Sequence, residues 1–199
     1  MHSSTISRPR ATAVGAVLAV LTLVAALFGN IAAADAVEPR DDREYSAGVE
    51  LSDAARAELQ SDIDSILRKH PGGQQISVNE VAWEDGDVVL TLPLPGQRTA
   101  SALAAAGTRD CPYLHTCLYD DIDWGYPRLA LYSCEYIEDL GDYGFDNITT
   151  SYHNNQSGNA ATRVWDYDEG PGLWTSFAPS SSSYVGATKT DRASAVDPC

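Results

Sequence analysis

The spacing of apolar residues predicts one amphipathic helix in the first half of the chain. Apolar residues recur three or four positions apart from Leu51 to Leu67, which is typical of a helix with one buried face. Ser52 is suited to cap the helix at its start, and the run Pro71–Gly73 ends the pattern. The pattern therefore predicts a helix over residues 52–69.

Two β-rich runs follow the helix and predict a hairpin over residues 76–93. The runs are Ile76–Trp83 and Val88–Pro93, and the residues between them contain an Asp-Gly pair that is typical of a tight turn. A helix and a hairpin form a very small core, and units of this size seldom stand alone. We therefore expect the acidic segment 37–94 to dock on the next domain or to assist its folding.

The pattern changes again from Cys111 onward. Nine of the ten Tyr and three of the four Trp lie there, in short runs separated by Gly, Ser, Asn and Asp. Such runs are typical of an all-β sandwich or barrel, which we expect to cover residues 109–199. The preceding residues 95–108, rich in Ala, Thr and Gly, are either a linker or contain a short helix over Ala100–Ala106.

The first 36 residues have the pattern of a secretory signal peptide. Arg8 and Arg10 precede an uncharged apolar stretch within Ala11–Phe28, and Ala34–Ala36 fits a small-residue cleavage site. A membrane anchor is the alternative, although the apolar run is at or just below the ~20 residues that a spanning helix requires. We therefore expect a secreted, extracellular protein with no stable membrane association after cleavage.

Export changes the interpretation of the four cysteines. An even number in an exported chain predicts two disulfides, and no C-x-x-C spacing favours a metal-thiolate site. Three pairings are open. We favour Cys111–Cys117, which closes a short loop, and Cys134–Cys199, which ties the C-terminus to the body. The longer loop contributes on the order of 4 kcal/mol in the chain-entropy model.

The charge excludes one class of partner. The chain has 28 acidic and 13 basic residues and a formal net charge of −15. Nucleic-acid binding requires clustered Lys and Arg, so we expect no nucleic-acid partner. The acid excess favours either solubility or cation binding.

Catalytic patterns are weak in this sequence. Neither a zinc-binding histidine pair nor a Gly-x-Ser-x-Gly elbow is present, and adjacent acids such as Asp120 and Asp121 point to opposite faces of a strand. We therefore expect a protein that is not an enzyme.

An internal repeat relates two halves of the β region. Three pairs of matching features occur in the same order at shifts of 46, 45 and 44 residues: Tyr119 with Trp165, Gly141 with Gly186, and Asp146–Ser151 with Thr190–Ala195. The repeat predicts two units of about four short strands each.

This combination of an aromatic-acid strand, a glycine turn and a later Asp/Asn stretch ending in Ser resembles the βγ-crystallin Greek key. In that family two keys pack into a two-sheet wedge. The order of the signal peptide, the helix–hairpin, the Cys111–Tyr119 opening and the Asn154–Gly158 bridge is similar to that of exported actinobacterial proteins grouped with the Streptomyces metalloproteinase inhibitors. The resemblance implies an all-β fold with two Greek-key motifs in a βγ-crystallin-like sandwich, preceded by the helix–hairpin unit.

The same resemblance implies calcium sites. Calcium binds six to eight oxygen ligands, and the Asp146–Ser151 stretch is rich in them. The first implied site uses Asp146, Asn147, the Ile148 carbonyl and Thr150, completed by Asp166 or Asp168 of the other half. A weaker second site uses Asp191 and Ser194 with Asp120 or Asp121. It is weaker because Thr190 and Ala195 depart from the motif.

The function implied by the resemblance is binding of an extracellular protease, above all a metalloprotease, by a peptidase-inhibitor-like protein. The candidate contact loops are Asp121–Arg128 and Glu169–Trp174, and no reactive bond is evident within them. The alternatives are a calcium-binding structural or surface-interaction module and a secreted toxin or antifungal protein. The sequence leaves the oligomeric state open.

Overall fold

The structure is a computed structural model that describes residues 51–95, 109–132, 134, 136–167 and 170–199. The predicted signal peptide and nearly all of the predicted linker lie outside the described residues. Within these described ranges, no helix is long and apolar enough to cross a membrane.

The predicted helix is present as α1, Asp53–Lys69. The Ser52 hydroxyl accepts a hydrogen bond from the Ala55 N–H at 3.2 Å, which confirms the predicted N-cap. Leu59 and Ile63 are fully buried on the face that the apolar spacing predicts.

Eleven strands follow the helix within the described residues, and every pairing between them is antiparallel. In chain order they are β1 (Gln74–Gln75), β2 (Glu80–Trp83), β3 (Val88–Thr91), β4 (Thr116–Tyr119), β5 (Arg128–Leu131), β6 (Glu138–Asp139), β7 (Ser151–Asn154), β8 (Ala161–Trp165), β9 (Gly172–Phe177), β10 (Ser180–Ser182) and β11 (Ala195–Asp197). A seven-stranded sheet has the order β1-β2-β3-β5-β4-β7-β10, and a four-stranded sheet has the order β6-β11-β8-β9. The all-β prediction for residues 109–199 is confirmed.

The hairpin is shorter at its start than predicted. Strand β2 begins at Glu80 and not at Ile76, because Ser77 and Asn79 are tied to each other by side-chain hydrogen bonds in a turn. The turn between β2 and β3 is a 3₁₀ turn, Glu84–Gly86, in which Gly86 has a φ of 103°. Glycine adopts this conformation without steric cost, so the Asp-Gly signal identified the turn correctly.

The hairpin is part of the larger β domain. Strand β3 pairs with β5 along four residues, from Val88 opposite Leu131 to Thr91 opposite Arg128. Buried residues of the helix and the hairpin also share one hydrophobic cluster with the later strands. In the structure the helix and hairpin therefore dock on the β domain, which is one of the two roles expected for this segment. The helix and hairpin share their core with that domain.

The two predicted units exchange one strand each. Strands β4, β5 and β7 of the first unit lie in the seven-stranded sheet, whereas β6 lies in the other sheet. Strands β8, β9 and β11 of the second unit lie in the four-stranded sheet, whereas β10 joins the first. Each half therefore follows the order of a Greek key, and a pseudo-twofold relates the halves.

Both favoured disulfides are present. Cys111 pairs with Cys117, and Cys134 pairs with Cys199. The second bond joins the C-terminus to the segment before β6, across 65 residues of sequence.

Candidate functional site

The two stretches that resemble calcium-binding motifs meet across the pseudo-twofold. The Asn147 N–H donates to the Ala193 carbonyl at 2.8 Å, and the Asp191 N–H donates to the Thr149 carbonyl at 3.1 Å. Asn147 and Asp191, which are equivalent in the repeat, have φ angles of 58° and 57°. Asn and Asp tolerate this left-handed backbone better than most residues, which explains their presence at both positions.

The hydroxyl groups of the two stretches are exchanged between the halves. The Thr150 hydroxyl lies 2.8 Å from the Thr190 hydroxyl and donates to Asp191 Oδ1 at 3.3 Å. The Ser194 hydroxyl donates to Asn147 Oδ1 at 3.3 Å. The sequence grouped Thr150 with Asn147 and Ser194 with Asp191. The structure pairs them the other way, because each hydroxyl reaches across the pseudo-twofold.

This exchange defines two oxygen-rich clusters. The Asn147 cluster consists of Asp146, Asn147 and Ser194. The Asp191 cluster consists of Thr150, Thr190, Asp191 and the nearby Asp120. The Ile148 side chain packs against the hydrophobic core beside the first cluster.

The acids around the Asn147 cluster already have partners. Asp166 Oδ2 accepts from Arg192 at 2.6 Å in an ion pair, and Arg192 also donates to the Thr188 carbonyl at 2.7 Å. Asp146 Oδ2 accepts from the Asn147 side-chain amide at 2.8 Å. Asp168, the other predicted acid, lies outside the described residues. A guanidinium group therefore already neutralises the carboxylate that was expected to complete this site.

The acids around the Asp191 cluster repel one another. Burial, together with the charges of Asp191 and Asp121, raises the pKa of the Asp120 carboxyl. In the part of the chain that the structure describes, no Lys or Arg forms an ion pair with these three acids. The cluster therefore has uncompensated negative charge beside two hydroxyl groups.

Carboxylates alone do not form a metal centre in this region. Across the described ranges, no group of three or more His, Cys, Asp or Glu side chains is arranged to hold a metal ion. The donor set of the Asp191 cluster is mixed, with carboxylate and hydroxyl oxygens. Such a set fits calcium, which accepts neutral oxygens, better than it fits zinc.

The first candidate contact loop, Asp121–Arg128, is held in place at its base. The Ser151 hydroxyl donates to the Asp121 carbonyl at 2.7 Å and accepts from the Trp124 N–H at 3.2 Å. The Asp123 N–H donates to the Ser183 carbonyl at 2.8 Å. These bonds connect the loop to the strand β7 and to the segment after β10.

Two further features fix the shape of this loop. The Trp124 indole N–H donates to the Tyr152 carbonyl at 3.1 Å, and the Arg109 guanidinium lies 5.3 Å from the Trp124 ring centre. A Cβ atom at Gly125 would lie 2.6 Å from the Asp121 Cβ, so the turn requires glycine. Ile122 follows Asp121 at the start of the loop and has 48% of its surface exposed. The loop therefore presents an apolar side chain from a rigid base.

The second half of the other candidate loop, Glu169–Trp174, is part of a strand. Glu169 lies outside the described residues, and strand β9 begins at Gly172. A Cβ atom at Gly170 would lie 1.6 Å from the Asp166 carbonyl oxygen, so this tight turn also requires glycine. Trp174 stacks on Tyr152, with ring centres 5.8 Å apart. This segment is consequently part of the sheet and offers little independent loop surface.

Sequence reasoning missed a buried group that joins the hairpin to the first Greek key. The Tyr143 hydroxyl lies 2.7 Å from Glu84 Oε1 and 2.7 Å from Glu138 Oε2. Glu138 is only 5% exposed, and its Oε1 has no hydrogen-bond partner among the described residues. Burial raises the pKa of Glu138, and the carboxylates of Glu84 and neighbouring acids add to this effect. No spacing signal connects these residues, because they lie on separate elements.

A second missed group surrounds Arg128, which is 4% exposed. Its guanidinium donates to the Thr91 hydroxyl at 2.9 Å and to the Asp110 carbonyl at 2.8 Å. It also forms an ion pair with the Asp110 carboxylate at 3.2 Å. A lone Arg beside the apolar run 129–131 was the available sequence signal. Arg128 thus joins β3, β5 and the segment before β4.

Comparison with known proteins gives similarity to solved structures only. No protein-family model matches the sequence, and no curated protein matches it. The chain is similar to a βγ-crystallin domain from Clostridium beijerinckii, with 20% identity and a TM-score of 0.35 over 41% of this chain and 93% of that one. It is also similar to a structure from work on the evolution of the eye lens βγ-crystallin domain fold, with 15% identity and a TM-score of 0.38 over 45% of this chain and 90% of that one. These similarities concern the fold alone.

Proposed function

We propose that this chain is a secreted, peptidase-inhibitor-like protein that binds an extracellular protease through the loop Asp121–Arg128. The observation that supports this most is the rigid loop base beneath the exposed Ile122 side chain. A loop that is already ordered loses little conformational entropy when it enters a protease cleft. The disulfides suit such a protein to an oxidising environment outside the cell.

The protease partner is proposed from the sequence resemblance to the metalloproteinase inhibitors. Inhibitor interfaces of standard size bury about 1,600 Å² in total, so neighbouring surface must contribute besides Ile122. Strand β7, whose Ser151 hydroxyl holds the loop, lies in the same sheet as β3 and β5. The proposal assigns no catalytic role to this chain.

Inhibition kinetics test this proposal. Purified protein should inhibit a thermolysin-type metalloprotease at stoichiometric ratios, and Ile122→Asp should weaken inhibition by at least about tenfold, or roughly 1.4 kcal/mol. Ile137→Asp is the matched control, because Ile137 is 54% exposed and lies on another segment. Full protease activity in excess wild-type protein, against both metalloproteases and serine proteases, would contradict the proposal.

We propose calcium binding as a second function, and we assign it to the Asp191 cluster. This reverses the order of the two sites expected from the motif. The reason is charge: Arg192 already pairs with Asp166 beside the Asn147 cluster, whereas Asp120 and Asp191 repel each other. Thr150, Thr190, Asp191 and Asp120 would hold the ion. A bound divalent cation would relieve the repulsion at the base of the loop that begins at Asp121.

Calorimetry and thermal unfolding in calcium test this second function. Calcium should release or absorb heat on binding and raise the unfolding temperature. The free energy of unfolding should rise by about 2.7 kcal/mol at a calcium concentration about a hundredfold above Kd. Asp191→Asn keeps a residue that tolerates the left-handed backbone but removes the charge, so the response should disappear. Asp146→Asn is the control and should retain it. The opposite outcome for the two variants would contradict the assignment.

A further inference from the structure

Strand β9 differs from the other strands that end the two sheets. The sheet edges are formed by β1 and β6, with two residues each, β10, with three, and β9, with six. Natural proteins protect edges by making them short or by placing charges or proline there. Strand β9 has the sequence GLWTSF and contains neither a charge nor a proline. It is therefore the longest and least protected edge in the described part of the molecule.

Some backbone N–H and C=O groups of β9 point away from its partner strand β8, towards the outer edge of the sheet. The Ala178 N–H donates to the Ala160 carbonyl at 2.9 Å, and Ser176 lies opposite Thr162 in the same register. Backbone groups alternate between the two sides of a strand, so those of Thr175 and Phe177 face the outer edge. The side chains of both residues are exposed, and Phe177 is 55% accessible.

The pseudo-twofold shows what covers the equivalent edge. In the first sheet the order β5-β4-β7 matches the order β9-β8-β11 in the second sheet. The outer side of β5 is paired with the antiparallel strand β3. No described strand occupies the corresponding place beside β9. The same position in the fold is thus covered by a strand in one sheet and by no strand of the described ranges in the other.

We propose that β9 pairs with β9 of a second copy of this chain to form a twofold-symmetric dimer. The two strands run antiparallel, with Thr175 of each copy opposite Phe177 of the other. This register uses the outward backbone groups of both residues in both copies. It also places a β-branched side chain beside an aromatic one, a favourable cross-strand pair. The result is a four-stranded sheet from each copy joined into one continuous sheet of eight strands.

A second copy fits this edge because β9 is complementary to itself. A twofold interface brings the same surface of both subunits together. Any charged residue on that surface would therefore lie close to the same charged residue of the other subunit. Strand β9 has no charge and avoids this repulsion, although the chain as a whole has a net charge of −15. Added salt screens the repulsion between the two acidic bodies. We therefore expect association to strengthen as the salt concentration rises.

Sedimentation equilibrium tests the dimer. The wild-type protein should approach twice the monomer mass as its concentration rises to millimolar. Thr175→Pro should remain monomeric, because proline lacks the N–H that faces the partner. Since that N–H does not bond to β8, the fold should persist, and circular dichroism with a cooperative unfolding transition checks this. Thr175→Ser keeps the N–H and should still dimerise.

A second pair of variants guards against a folding defect in the proline variant. Phe177→Lys places two like charges at the proposed interface and should abolish the dimer. Tyr184→Lys replaces another exposed aromatic residue, 46% accessible and outside β9, and should leave the dimer intact. A wild-type protein that stays monomeric at millimolar concentration overturns the proposal. Equal dimerisation of wild type and both β9 variants also overturns it.

Discussion

At the scale of single residues, one proton affects a buried contact between the hairpin and the first Greek key. Tyr143 has a single hydroxyl proton, yet its oxygen lies 2.7 Å from each of two carboxyl groups. Both contacts are hydrogen bonds only if one carboxyl group is protonated. Burial raises the pKa of Glu138, although the hydrogen bond from Tyr143 lowers it in part, so we infer that Glu138 takes up a proton at a higher pH than an exposed glutamate does and can then donate to the phenol oxygen. Neighbouring Asp87 and Asp142 act in the same direction as burial.

This inference predicts how stability changes with pH. A carboxyl group with a raised pKa in the folded state contributes stability below its unfolded value, near 4.5, and loses it as the pH rises through the folded value. Glu138→Gln removes the titration, so the variant should lose less stability than the wild type between pH 5 and pH 8. Urea unfolding across this range measures the difference. The exposed Glu58→Gln is the control, and an equal pH dependence for wild type and Glu138→Gln would contradict the inference.

At the scale of elements, the sequence pattern predicted those features that depend on residues close together in the chain. The helix spacing, the Ser52 cap and the Asp-Gly turn all correspond to observed features, because each depends on residues close in sequence. The pairing of β3 with β5 and the hydroxyl exchange by Thr150 and Ser194 depend on strands that are distant in sequence. The repeat indicated two related halves, but it did not indicate which half each hydroxyl contacts.

The shared core predicts that the helix unfolds together with the β domain. Leu59 is 1% exposed and belongs to the cluster that also contains residues of both Greek keys. Leu59→Ala should cost about 2–5 kcal/mol, and far-ultraviolet circular dichroism and tryptophan fluorescence should report the same transition. Leu114→Ala, at a leucine that is 37% exposed, should cost much less. A separate, earlier loss of helical signal would show that the helix is an independent unit.

At the scale of the whole molecule, the acid excess has two different consequences. Part of it is compensated within the fold, as in the pairs Arg163–Asp197 and Arg192–Asp166. Another part is concentrated at the base of the proposed contact loop, where the charges of Asp191 and Asp121 add to burial in raising the pKa of Asp120. Composition left solubility and cation binding as alternatives, and only the fold places these acids together. A calcium ion bound at this position would neutralise part of the acid excess and would stabilise the base of the loop.

The proposed function requires the loop Asp121–Arg128 to bind an extracellular protease. Affinity capture from the culture supernatant of the producing organism, with and without calcium and followed by mass spectrometry, detects such binding. We predict that the wild-type protein and Ile137→Asp retain a protease, and that Ile122→Asp does not. Recovery of no protease by the wild-type protein, or of equal amounts by Ile122→Asp, would contradict the claim.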